Sequence, residues 1–147
     1  MAPHGTTAYG VLLLRVALGA MFIAHSVVLK LMTFTLAGTA QFFVSLGLPA
    51  WLAYATFVAE AVGGVLLVLG VQTRWVVLAL SPILLGAVWV HAGNGWVFTV
   101  ANGGWEYPGY LFVLCIAQAM LGDGALALSP TRLPAIRVFP RSASSAA

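Results

Sequence analysis

Two ionisable residues stand inside long apolar stretches, where a charge at the centre of a membrane helix costs about 2.5–3.5 kcal/mol even on lenient scales. They are Arg15 and Glu60. Each lies in a stretch that can be anchored at the same membrane face. At ~1.5 Å per residue, Arg15 is then ~9 Å from that face and Glu60 ~16 Å. An arginine side chain can bridge the difference, so an intramembrane Arg15–Glu60 ion pair is expected. Such a pair serves either to fix helix packing or to bind a ligand and handle protons.

A second group belongs to the opposite side. His25 and His91 fall at similar depths of their own stretches, and Lys30, Asn94 and Glu106 follow in the same outer zone. Together they predict a polar pocket opening outward above the Arg–Glu pair. It would offer imidazoles that change charge near neutral pH and hydrogen-bond donors for a quinone headgroup. The plain alternatives are interfacial hydrogen bonding for the histidines and snorkelling to the headgroups for Lys30. Two histidines at one depth can ligate haem, but two lone histidines do not specify it. Zinc needs four converging ligands, which scattered histidines and the single Cys115 do not supply, so no metal site is expected. One cysteine inside an apolar run also excludes a disulfide framework and a C-x-x-C redox pair.

The elements that must position these residues are helices in lipid. The chain is 62% hydrophobic and 6% charged, against roughly 45–50% apolar and about 25% charged in soluble domains. Apolar runs cover roughly residues 9–29, 50–71, 75–91 and 107–121, the last extending to 128 at most, and about 20 apolar residues make one span. A soluble bundle would need polar helix faces that these runs lack. The predicted fold is all-α: an integral membrane four-helix bundle with a short interfacial helix between helices 1 and 2. That short helix falls within 41–49 and stops at Gly47 and Pro49. Residues 72–74 predict a tight turn. Asn94-Gly95 and Asn102-Gly103, each followed by a tryptophan, predict a small hairpin at headgroup level.

Spacing-four small residues on the second run (Ala55, Ala59, Gly63), Gly64 beside Glu60, and Gly19 one turn from Arg15 mark a close helix approach. Pro82 is a candidate kink. The first nine residues have no basic n-region and no cleavage site follows, so the first helix is expected to stay as an anchor. Residues 1–128 make one membrane domain, and 129–147 a basic, partly disordered tail. With four spans, Arg74, Arg132, Arg137 and Arg141 share one side and Lys30 has the other, which makes both termini cytoplasmic in a bacterial inner membrane. A net charge of +3 from so few groups is too sparse for nucleic-acid binding. The bilayer is the first partner, and Gly- and Ala-rich faces also permit a homo-oligomer.

The stretches Arg15-Val16-Ala17-Leu18-Gly19, Phe22-Ile23-Ala24-His25, Leu46-Gly47-Leu48-Pro49, Ala59-Glu60-Ala61-Val62-Gly63-Gly64, Gly70-Val71-Gln72-Thr73-Arg74 and Asn102-Gly103-Gly104-Trp105-Glu106 together resemble the DoxX family of small four-helix membrane proteins. The resemblance runs over about residues 11–128. Family members usually carry a Gly after the first-helix His and a Lys four beyond it; here Ser26 follows His25 and Lys30 is five beyond. The resemblance implies a membrane subunit connected with respiratory or redox chemistry, including quinone-linked oxidoreductase complexes. The leading expectation is therefore an inner-membrane subunit that supports quinone-linked electron transfer with a partner oxidoreductase. A quinone would be the cofactor, since no motif for flavin or haem is present. The alternatives are a non-catalytic anchor or assembly subunit and, last, a small transporter.

Overall fold

A computed structural model describes residues 5–132. Five α-helices are present and no strands among the described residues: α1 (Thr6–Ile23), α2 (Leu36–Ser45), α3 (Trp51–Leu69), α4 (Thr73–His91) and α5 (Glu106–Leu121). The axis of α1 does not end at Ile23. The winding loosens into a π-helix over Ala24–Thr33, which closes with the Phe34 N–H on the Leu29 carbonyl at 2.8 Å.

Local chemistry sets most of the boundaries. The Thr35 side chain accepts the Gly38 N–H at 3.1 Å and starts α2. That helix begins earlier than the 41–49 segment suggests and stops before Gly47, whose φ is +79°. Helix α3 ends at Gly70 in the left-handed region (φ +70°), a common helix stop. After two intervening residues α4 begins, and it runs unbroken through Pro82 into a single 3-10 turn, Ala92–Asn94. Pro108 falls in the first turn of α5, where a missing N–H costs nothing. The predicted hairpin is a loop without strands, closed by Trp105 N–H on the Gly95 carbonyl (3.2 Å) and Glu106 N–H on the Trp96 carbonyl (3.0 Å).

The core is shared by α1, α3, α4 and α5. Leu18, Phe22, Leu67, Val77, Leu80, Leu84, Leu111 and Cys115 pack into one buried cluster. Outside it the helices remain apolar: Leu13 is 71% exposed, Trp89 61% and Val113 59%. Large apolar side chains facing outward on several helices suit hydrocarbon and not water. Thr6–Thr33 (28 residues, mean hydropathy 2.1), Trp51–Leu69 (19 residues, 2.0) and Thr73–Asn94 (22 residues, 1.9) are each long and apolar enough to cross a bilayer. The chain is thus a multi-pass membrane protein, with α5 as a shorter apolar helix of 16 residues.

Helices α1 and α3 run antiparallel and touch at backbone distance. A Cβ on Gly19 would stand 2.7 Å from the Gly64 carbonyl oxygen, and one on Gly64 would stand 2.8 Å from the Gly19 carbonyl oxygen. This crossing sets the register of every polar residue on the two helices. Residues 122–131 fold back across the end that carries the α3–α4 turn. Ala125 N–H bonds the Ala8 carbonyl (3.0 Å), Leu128 N–H the Leu69 carbonyl (3.1 Å) and Ser129 N–H the Gly70 carbonyl (3.1 Å). The basic-tail expectation for Arg137 and Arg141 lies outside the described residues.

Candidate functional site

Arg15 and Glu60 do not pair. Arg15 lies one turn to one side of the Gly19–Gly64 crossing and Glu60 one turn to the other, so along the antiparallel seam they stand about 12 Å apart. The guanidinium turns toward the nearer end of the bundle and donates from Nη1 to the Asp123 carbonyl. It is 1% exposed, and its Nε and the side-chain oxygens of Thr73 and Gln118 are buried with no partner among the described residues.

Asp123 organises this end and was not singled out from the sequence. Its Oδ1 accepts the Thr73 N–H (3.0 Å) and the Thr131 hydroxyl (2.9 Å), and its Oδ2 accepts the Thr131 N–H (2.8 Å). Burial pushes the carboxyl up, but the hydrogen bonds from Thr131 and Thr73 outweigh it and hold its pKa below the usual carboxylate value. Arg74 closes the same end by donating Nη1 to the Ala119 carbonyl at 2.8 Å. Asp123 is the chain's single aspartate and stands between two glycines, a pattern of turns, but nothing local says what such a turn would hold.

At the other end, Glu60 pairs with Lys30, the one salt bridge among the described residues. The Glu60 side chain is 6% exposed and that of Lys30 17%. Helix α3 supplies the carboxylate and the π-wound segment the ammonium. His25, near the start of that segment, donates Nδ1–H to the Met21 carbonyl (3.0 Å), with the tautomer assigned from that acceptor. Its ring stacks on Tyr107 of α5, with centroids 5.7 Å apart.

The five outer residues are brought to one end but not into a common polar pocket. His91 Nδ1 lies 3.0 Å from the Asn102 carbonyl and 3.1 Å from the Gly103 carbonyl, while the Asn94 amide donates to the same two at 3.1 and 2.8 Å. Tight turns present carbonyls without backbone partners, and these two side chains satisfy them. Glu106 accepts the Phe98 N–H at 3.1 Å. These three residues therefore shape the 95–105 loop, leaving Lys30, Glu60 and His25 as the polar groups set into the helices. At the same end, α4, α5 and the loop form an open apolar groove of about 720 Å³ walled by Trp96, Phe98, Trp105, Tyr107 and Tyr110. Tyr107 belongs both to this wall and to the His25 stack. Trp96 and Trp105 meet edge to face at 4.5 Å. Among the described residues, no three of His, Cys, Asp and Glu gather so as to hold a metal ion.

The geometry can be set beside known proteins. The family model for DoxX matches residues 10–93. The chain belongs to the DoxX family. The match takes in Arg15, His25, Lys30, Glu60 and His91 and stops short of Asn94, Glu106 and Asp123. This DoxX chain is 36% identical over 127 residues to a protein of Bacillus subtilis (strain 168) named "Putative oxidoreductase CatD", covering 82% of this chain and 85% of that one. No solved structure matches it.

Proposed function

We propose that this DoxX protein is a four-span subunit of a bacterial inner membrane that supports quinone-linked electron transfer together with a partner oxidoreductase. Helix α5 is the fourth span in this reading, and both termini are cytoplasmic. Arg74 and Arg132 at the α3–α4 end, against Lys30 at the other, support that orientation. The relative's name, an oxidoreductase, supports the redox assignment.

The observation that carries the proposal is the Lys30–Glu60 pair, set into the bundle at the end where His25 stacks on Tyr107. A bound quinone supplies an acceptor of two electrons and two protons. The electrons come from the partner's own donor, since this chain has no dithiol or metal cluster of its own in the described residues. Its residues handle the protons. Glu60 is the group proposed to exchange those protons, with Lys30 as its ion-pair partner. With Nδ1 engaged by the Met21 carbonyl, the other ring nitrogen of His25 is left for a hydrogen bond to a ligand. The aromatic walls at Trp96, Trp105 and Tyr107 fit a flat ring, and the groove opens where an isoprenoid tail can stay in lipid.

A second reading is favoured by one feature: Lys30, His25, His91, Asn94 and Glu106 all have internal partners, as a non-catalytic anchor or assembly subunit requires. One experiment separates the two. The complex is purified in mild detergent, assayed for bound quinone, and its quinone reductase turnover compared between parent and Glu60→Gln. Co-purifying quinone and a tenfold or greater fall in turnover per complex are expected. No quinone, with Glu60→Gln lowering the amount of assembled complex but not its turnover, removes the redox reading in favour of the anchor.

A further inference from the structure

The change of winding after Ile23 decides which way Lys30 points. Each α-helical residue turns the chain by about 100°. Carried on as an α-helix, the path from Leu18 to Lys30 would leave Lys30 about 120° away from the Leu18 direction. Loosened after Ile23 to about 4.4 residues per turn, the same path brings it back to within about 20°. The outcome is a straight stripe at a spacing of four: Leu18, Phe22 and Ser26 are 2%, 1% and 0% exposed, and Lys30 continues it onto Glu60. Straight α-winding would instead have turned the ammonium off the bundle's inner face.

We propose that the π-wound segment is a register device that turns Lys30 onto the Glu60 carboxylate, with His25 and Ser26 as the positioning residues that hold the winding. The change of hydrogen-bond spacing falls at Met21, Phe22 and Ile23. The carbonyls of these three residues take side-chain donors: His25 Nδ1 on Met21 (3.0 Å), and Ser26 Oγ on Phe22 (2.9 Å) and Ile23 (3.1 Å). Where the backbone spacing changes in hydrocarbon, these side-chain donors add to the bonding of the carbonyls, the Met21 carbonyl also accepting the Ala24 N–H. Farther along, the Thr33 hydroxyl donates to the Val28 carbonyl at 2.8 Å, five residues back, in step with the π spacing. A long π-helix has poorer geometry than an α-helix and persists where something compensates. Here the compensation is a carboxylate that would otherwise sit unpaired in the membrane. The inference goes beyond the quinone reading and stands without it, because it rests on the winding and the ion pair alone.

Lys30 is the chain's one lysine, and Glu60 and Glu106 are its two glutamates. Full-length protein in lipid bilayers, labelled with 15Nζ-lysine and 13Cδ-glutamate, therefore reports the pair by solid-state dipolar recoupling. Strong coupling is expected in the parent and in Glu106→Gln, and none in Glu60→Gln. Deleting Val28 should preserve the coupling, because one residue fewer lets a plain α-helix put the lysine about 20° from the Leu18 direction. Inserting one alanine after Val28 should abolish it. Ser26→Thr, which keeps the hydroxyl, should retain the parent coupling, and Ser26→Ala should lose at least half. Coupling that survives the insertion, or that vanishes on deletion in a chain accumulating at the parent level, overturns the proposal. If the deleted chain does not accumulate, the insertion and the Ser26 pair decide in the same way.

Discussion

Gly64→Ala tests the packing on which the polar arrangement depends. A Cβ at Gly64 would meet the Gly19 carbonyl oxygen at 2.8 Å, Ile23 Cγ1 at 2.8 Å and the Ile23 backbone nitrogen at 3.1 Å. Two of those three atoms are backbone, so relief requires the helices themselves to separate by several tenths of an ångström. Overpacking of this kind costs about 1–3 kcal/mol. At about 1.4 kcal/mol per factor of ten, the folded-to-unfolded ratio should fall by roughly 5- to 150-fold. The crossing is shared, because a Cβ at Gly19 meets the Gly64 carbonyl in turn. Once the helices are apart, the second methyl costs less than the first, and Gly19→Ala with Gly64→Ala should destabilise by less than the sum of the two. Reversible unfolding in mixed micelles, followed by tryptophan fluorescence, measures both quantities. A Gly64→Ala protein as stable as the parent, or strictly additive effects, would refute the argument that backbone contact holds α1 on α3.

Lys30→Met leaves the Glu60 carboxylate buried and alone, and breaking a buried pair from one side costs about 3–5 kcal/mol. Lys30→Met with Glu60→Leu removes both charges and should recover most of that loss in the same unfolding assay; a double variant as weak as the single one would show that the charges were not compensating each other. Asp123 gives a pH dependence at the opposite end. Its folded pKa lies below the unfolded one, so its stabilisation is full above the unfolded value of about 3.9 and is lost as pH falls through the folded value. Parent protein should therefore lose stability through that acid window more steeply than Asp123→Asn, and identical acid profiles would count against the hydrogen-bonded carboxylate as the cause.

Much of the fold was legible because it follows from local physics. Backbone polar groups cannot remain open in hydrocarbon, so apolar runs of this length become helices, and the spans observed agree with those runs to within a few residues. Gly70 and Gly47 ended their helices through their own backbone freedom. Gly19 and Gly64 were recognisable as close-approach residues, and their mutual contact is what the fold makes of them.

Partner choice was not legible in the same way. The cost of Arg15 and Glu60 could be read from their position in apolar runs, yet the pair that forms is Lys30–Glu60, with a lysine assigned to the outer zone. Depth along a helix was not enough, since the answer depended on where α1 crosses α3 and on how tightly α1 winds beyond Ile23. His91 and Asn94 looked like free donors in the sequence, but the carbonyls of the 102–103 turn take them both. Asp123 gained its partners only when residues 122–131 folded across the ends of α1, α3 and α4.

The amino-acid sequence by itself determined that this chain is helical, that it lives in a membrane and which residues are costly to place there. These are properties of short segments and their solvent. Tertiary structure alone decided which costly residues meet, because hydrogen bonds and ion pairs act over a few ångströms, and a single step of helical winding turns a side chain by about 100°.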